Sequence, residues 1–280
     1  MKKIIYILLA GFLWGFIGVS VKLIHGEINP FSLNFFRFLA AFLFLLIISP
    51  FIGKNELKIS KKDIKSHAII GLLFALTTTT FVYAVSRTTI ANTVLLQSLQ
   101  AFFVMIIAYF MLKEKITSAK LITLIFALVG IYIINPLGTG DLIGNIIAII
   151  SGFLFALLTA YMRFTDKKFR HSHTVWFMFF AALFMLPFPF IFGVGLLMKN
   201  LIYVLIIAVL GTALPYLFYN WFIEKSEADI AGLFSVIMLP LASIIFGILI
   251  IGEFITLTTL VGGVILISSI VYLEIHRKKI

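Results

Sequence analysis

Gly11-Phe-Leu-Trp14-Gly15-Phe-Ile-Gly18-Val-Ser-Val-Lys22 and Gly152-Phe-Leu-Phe-Ala156-Leu-Leu-Thr159-Ala-Tyr-Met-Arg163 read as two versions of one apolar helix, 141 positions apart (163 − 22). Gly11, Gly15, Gly18 and Lys22 fall at steps of four, three and four and so share a helical face; Gly152, Ala156, Thr159 and Arg163 repeat the pattern. A second match has almost the same offset. Lys-Glu114-Lys-Ile-Thr117 and Gly-Glu253-Phe-Ile-Thr256 lie 139 positions apart (253 − 114). Two matches with one offset divide the chain into halves, 1–137 and 138–280, joined at the turn-rich stretch Asn135-Pro136-Leu-Gly-Thr-Gly-Asp141.

What the halves are made of follows from composition. The chain is 62% apolar and 12% charged, against about half and about a quarter in a soluble domain. Such a chain cannot cover itself with polar surface. Apolar segments run over 4–24, 31–52, 67–86, 91–112, 118–136, 142–163, 174–196, 201–222, 230–251 and 257–274, each near the ~20 residues that cross ~30 Å of hydrocarbon. They are too long and too continuously apolar for the alternating strands of a barrel. The run after Met1-Lys2-Lys3 reaches Ile24 without a small-residue cleavage site, so it is expected to stay as a first helix.

The lysines and arginines set the direction. With the N-terminus in the cytoplasm, 18 of the 22 fall on the inner side and only Lys22, Arg37, Arg87 and Lys199 fall in the outer half. Ten crossings return the C-terminus to the cytoplasm as well. Five helices per half is an odd number, so the second half must lie upside down. The expected fold is an all-α membrane protein of ten transmembrane helices, built as two inverted five-helix repeats in the cell membrane.

A net charge of +11 would suggest nucleic acid in a soluble protein, but here the cations lie in short runs between spans; no nucleic-acid partner is expected. There is no cysteine, and His171 and His173, two apart, do not share a helical face, so no metal or other cofactor is expected. A phosphate-binding glycine loop, a Ser-His-Asp arrangement and a buried acidic pair are all missing, which argues against an ATP-driven pump or an enzyme.

The chain resembles the drug/metabolite transporter superfamily, specifically the EamA-type ten-helix carriers, over nearly its whole length. The matching features are Trp14-Gly15, Pro30 followed by Arg37, the end of span 4 with Glu114, Leu239-Pro240 and Gly252-Glu253. The resemblance implies secondary transport through a central cavity lined by helices 1, 3, 4, 6, 8 and 9, with helices 5 and 10 peripheral. It also implies a small solute, an amino acid or related metabolite, and export. Where span 9 has Pro240, span 4 has Ala101 preceded by Gln100, so the first half is expected to be less kinked there.

Polar side chains inside spans mark a cavity or a packed interface. Thr93, Gln97 and Gln100 share one face of span 4, and Thr79 and Tyr83 one face of span 3. Tyr216, Tyr219 and Asn220 follow Pro215 in span 8, with Ser235 in span 9 and Trp14 in span 1. These are the candidate lining for a neutral, hydroxyl- and amide-rich pocket. Each has a plainer reading: threonines bond to their own helix, glutamines bridge helices, and Tyr219 and Trp221 form an interfacial belt. Lys22, Arg37, Glu114, Arg163, Pro240 and Glu253 are candidates for gating or structure, since cations at span ends also snorkel and the two glutamates sit on turns. The expected partners are a small-molecule solute and the lipid bilayer, with the chain a monomer or homodimer. A membrane enzyme or scaffold acting on lipid-linked substrates, or a channel, is the alternative.

Overall fold

A computed structural model describes residues 4–24, 26–52, 57, 61–87, 90–134, 141–165, 171–223, 228–246, 249–250 and 257–277. Among them there is no strand. The helices are α1 (Ile4–Ile24), α2 (Pro30–Ile52), α3 (Lys61–Arg87), α4 (Ile90–Gln97), α5 (Gln100–Leu112), α6 (Ser118–Ile134) and α7 (Leu142–Thr165). They continue with α8 (His171–Met185), α9 (Phe188–Phe192), α10 (Leu201–Ala208), α11 (Leu214–Ile223), α12 (Ala228–Phe246) and α13 (Leu257–Arg277). Five stretches, Pro30–Phe51, Asp63–Arg87, Leu142–Thr165, His173–Phe192 and Leu201–Ile223, are long and apolar enough to cross a membrane; shorter apolar helices accompany them.

Many large apolar side chains face outward. Phe51, Phe110, Phe190, Leu249 and Leu257 are each at least 70% exposed, a surface that water would penalise and lipid tails would not. α6 and α13 pack on each other, Gly130 against Gly262 and Leu266, touch α12, and turn Ile125, Phe126, Leu260 and Val264 outward.

The other helices pair off between the halves. α1 packs on α12 and α11, α7 on α4, α5 and α3, and α2 on α8. Exchanging the halves maps this list onto itself. Residue contacts give the direction of each pairing. Gly11 and Gly15 of α1 face Met238 and Ala242 of α12, so these two run parallel. Ser151, Phe153 and Ala156 of α7 meet Gln97, Phe103 and Val104 in the same order, also parallel. His67, Phe74 and Thr79 of α3 meet His173, Phe177 and Met185 of α8 in parallel. Opposed pairs are α2 with α3 (Phe31–Tyr83, Phe38–Phe74), α1 with α11 (Tyr6–Trp221, Trp14–Tyr216) and α8 with α11 (Thr174–Asn220, Phe177–Tyr216). Ser151 bonds both the Thr77 carbonyl, ten residues before Arg87, and Gln97, ten after it, which is the geometry of an α3–α4 hairpin. Hence α1, α3, α8 and α12 run one way, and α2, α4–α5, α7 and α11 the other.

Among the described residues three interruptions have a local reason. Span 4 breaks at Ser98-Leu99 between α4 and α5, whereas Pro240 lies within the continuous α12. The expectation of a less kinked first half is therefore corrected. Leu99 N–H bonds the Leu96 carbonyl and Ala101 N–H the Ser98 carbonyl, tightening the turn, while Ser98 Oγ donates to the Val94 carbonyl. Span 7 breaks at Leu186-Pro187 between α8 and α9, where the proline ring cannot continue the ladder. Between α10 and α11 a π-helical turn occupies Val209–Ala213. Pro215 explains it: lacking an N–H, it leaves the carbonyl of Gly211, four residues back, without its helical donor.

Candidate functional site

Where α1, α7 and α11 meet, Trp14 packs its indole against Tyr219 at 5.3 Å, Tyr216 at 5.5 Å and Phe155 at 6.2 Å. Tyr216 continues the cluster to Phe74 of α3 at 4.6 Å. Edge-on and tilted ring pairs at these distances contribute ~1 kcal/mol each beyond their burial. Tyr219 is fully buried; its hydroxyl lies 2.8 Å from Thr159 Oγ1, and Ser235 Oγ donates to the Ala231 carbonyl. The interfacial-belt reading of Tyr219 is thereby excluded. Trp221 instead rests edge-on against Tyr6.

Three threonines of the run Thr77 to Thr80 turn back on their own helix: Thr77 to Leu73, Thr78 to Phe74 and Thr80 to Leu76 carbonyls. Thr79 differs. Its hydroxyl donates to Met185 Sδ at 3.6 Å and accepts from Asn34 Nδ2 at 3.3 Å. At the equivalent place in the second half, Asn220 Nδ2 donates to Thr174 Oγ1 at 2.8 Å. The offsets are 140 (174 − 34) and 141 (220 − 79), the same spacing the sequence repeat shows. In both pairs the asparagine Oδ1 is buried and has no hydrogen-bond partner among the described residues.

Gln97 and Gln100 are buried; Gln97 Nε2 donates to Ser151 Oγ at 3.1 Å, so in this conformation it bridges α4 and α7. Tyr83 stands apart from the aromatic centre, half-buried beside Phe31 at 6.1 Å. Arg37 is buried on α2; its Nε donates to Thr212 Oγ1 at 2.5 Å and its Nη2 reaches the freed Gly211 carbonyl at 3.5 Å. The π-turn and the arginine thus explain each other. Glu114 follows Lys113, which takes the left-handed φ of 61°, and its Oε1 accepts from the Ala228 N–H at 2.9 Å, capping the start of α12. Arg163 is half-buried near the end of α7. Glu253 and the side chains of Lys22 and Pro240 lie outside the described residues.

Sequence reasoning missed Asn34, Thr174 and Ser151; of these only Asn34, one turn before Arg37, shares a helical face with a residue already marked. It also missed that His67 and His173, distant in sequence, bring their rings to 4.6 Å between α3 and α8. Among the described residues no cluster of His, Cys, Asp and Glu could hold a metal ion.

The arrangement is a buried seam of hydroxyls, amides and aromatic rings where the two halves meet. Comparison with known proteins gives the same class. The sequence profile of the EamA-like transporter family matches twice, over residues 1–135 and 142–274. The chain belongs to the EamA-like transporter family. This is the drug/metabolite transporter superfamily, and the chain is a transporter, not an enzyme.

An uncharacterized transporter of Clostridium kluyveri is 27% identical over 297 residues, covering 99% of this chain and 95% of the relative. The uncharacterized transporter YetK of Bacillus subtilis is 29% identical over 279 residues, covering 89% and 82%. An S-adenosylmethionine uptake transporter of Rickettsia prowazekii is 26% identical over 151 residues, 54% of this chain and 50% of that one. One solved crystal structure matches with a TM-score of 0.81 at 14% identity, covering 99% of this chain and 98% of the other, a likeness of fold.

Proposed function

We propose that this family member is a secondary carrier that moves a small polar metabolite of the amino-acid kind by alternating access between two inverted five-helix halves. The observation that carries the reading is the exchange symmetry of the packing. α1 and α7, α2 and α8, α3 and α11, and α5 and α12 are counterparts at an offset near 140, and the contacts run the members of each pair in opposite directions. Two such halves can trade conformations, which moves an opening from one face to the other while the buried centre stays in place. The two matches to the family profile support the same division near residues 135–142.

Both halves of the seam come from one chain, so a monomer suffices and a homodimer is permitted. Export is the direction we assign, from the family resemblance; the S-adenosylmethionine relative is named for uptake, and inside-out vesicles against right-side-out cells decide between them.

Reconstituted into vesicles, the protein is expected to give saturable uptake and counterflow of at least one amino acid or nucleoside. Flux that rises linearly with concentration indicates a channel, and no flux of any solute removes the carrier reading. Gln97→Ala and Gln100→Ala are expected to weaken apparent affinity by about ten-fold or less, the size of one buried hydrogen bond; unchanged kinetics in both would take these side chains out of the pathway.

Orientation has its own test. The chain contains no cysteine, so single cysteines at 114 and 253 report sidedness cleanly. Position 114 is expected to react only from the cytoplasm and position 253 only from outside, with both termini cytoplasmic. Labelling of both from one side would overturn the inversion.

A further inference from the structure

Arg37 is 3% exposed, about two turns into α2. Its hydrogen-bond partners are a hydroxyl and a carbonyl, both neutral, and its Cζ lies 5.8 Å from the centre of the Phe38 ring. Among the described residues no carboxylate pairs with it, and its third nitrogen, Nη1, has no acceptor there; the described ion pairs, Arg87–Asp141 and Lys199–Glu27, involve other residues. A buried charge without a counter-ion costs several kcal/mol, and bonds to neutral oxygens offset only part of that. Stapling a π-turn does not require a charge.

The symmetry of the halves sharpens the point. The Asn34–Thr79 pair has a mate in Thr174–Asn220, so that contact belongs to the five-helix unit itself. Arg37 has none: at offsets of 139 to 141 the second half reads Trp176-Phe177-Met178. A unit that folds with Phe177 there does not need the arginine to fold.

One turn before Arg37, on the same face of α2, stands Asn34. Because the Thr79 proton is directed at Met185 Sδ, the Thr79 oxygen accepts from Asn34 Nδ2, and Asn34 Oδ1 is left buried as an acceptor without a donor. α2 therefore presents, one turn apart, a cation lacking an anion and an acceptor lacking a donor. Phe38, next to Arg37, joins this part of α2 to the Trp14 cluster through Phe74 and Tyr216.

We propose that Arg37 and Asn34 form the headgroup subsite of the carrier, Arg37 taking a carboxylate and Asn34 Oδ1 the neighbouring ammonium, so that the solute class is the zwitterionic α-amino acids. The guanidinium fork suits a carboxylate in two-point contact, which an ammonium in its place would not provide. A two-point contact through Nη1 and Nη2 takes the long Nη2 bond from the Gly211 carbonyl and leaves Nε on Thr212. This deepens the carrier reading and rests on it.

The test uses the full-length protein in vesicles and measures counterflow of the common L-amino acids, each beside its carboxamide, with uridine, adenosine and putrescine as solutes lacking the headgroup. Expected is saturable flux of at least one L-amino acid, with its carboxamide poorer by about ten-fold or more. Arg37→Gln is expected to bring that ratio towards one, and Asn34→Leu to lower affinity for the amino acid without favouring the amide. Saturable flux of only uridine, adenosine or putrescine would leave the carrier standing and overturn the headgroup site. Full preference for the carboxylate in Arg37→Gln would do the same, and absence of flux for every probe would remove both. The comparison of acid with amide is made on the unaltered protein, so it decides even where Arg37→Gln does not fold.

Discussion

Gly152→Leu is expected to abolish counterflow and to destabilise the detergent-solubilised protein by about 3 kcal/mol or more, the upper range for overpacking, because the obstacle is backbone. A Cβ on Gly152 would stand 2.8 Å from the Gln97 carbonyl oxygen and 3.3 Å from the Gln100 nitrogen. Those atoms flank the α4–α5 break, so they cannot move without moving the kink itself. The same residue brings α7 close enough for Ser151 to bond both Gln97 and the Thr77 carbonyl. Pushing the helices apart would therefore also break the buried hydrogen bonds that tie α3, α4 and α7 together. Gly263→Ala is the control: its Cβ would meet only Leu241 Cδ2 at 3.9 Å, and a near-neutral result is expected. Thermal unfolding followed by tryptophan emission, with counterflow alongside, measures both. A Gly152→Leu protein that melts and transports like the unaltered one would mean that this close approach has no role.

The matched faces of α1 and α7 were legible because small residues stand where helices touch. Gly11 and Gly152, matched by offset alone, do occupy equivalent contacts, one on Met238 and the other on Gln97. Breaks in helices were legible only where proline announced them. Pro187 ends α8, and Pro215 explains the π-turn; the Ser98-Leu99 break carries no such mark, since it depends on where serine hydroxyls and carbonyls find partners in three dimensions. Polar residues were legible as buried, not as lining or glue. Thr77, Thr78 and Thr80 satisfy themselves within one turn, whereas Thr79, in the same run, reaches across to Asn34. Period and composition are the same for all four; only the neighbouring helix separates them.

Trp14→Ala is expected to cost about 3–5 kcal/mol, the range for removing a large buried ring, and to eliminate transport. Trp14 is 5% exposed and touches rings on α7 and α11, so its loss would leave a void where three helices converge. Stability alone would not tie the indole to the solute path, so Trp14→Phe and Tyr219→Phe carry the finer comparison. Trp14→Phe keeps an aromatic face towards Tyr216 and is expected to fold while raising KM. Tyr219→Phe keeps the ring but removes the bond to Thr159, leaving that hydroxyl with one partner fewer, at about 1–2 kcal/mol. Thr159 is on α7, in the same half as the α11 that carries Tyr219, so this hydroxyl stiffens the second half as the halves rock, whereas Trp14 of α1 reaches Tyr219 from the first half. Loosening it is expected to change the rate of exchange more than the affinity, and weakening the Trp14 contact the reverse. Equal shifts of KM and kcat in both variants would mean that the aromatic centre is packing alone, with the solute passing elsewhere.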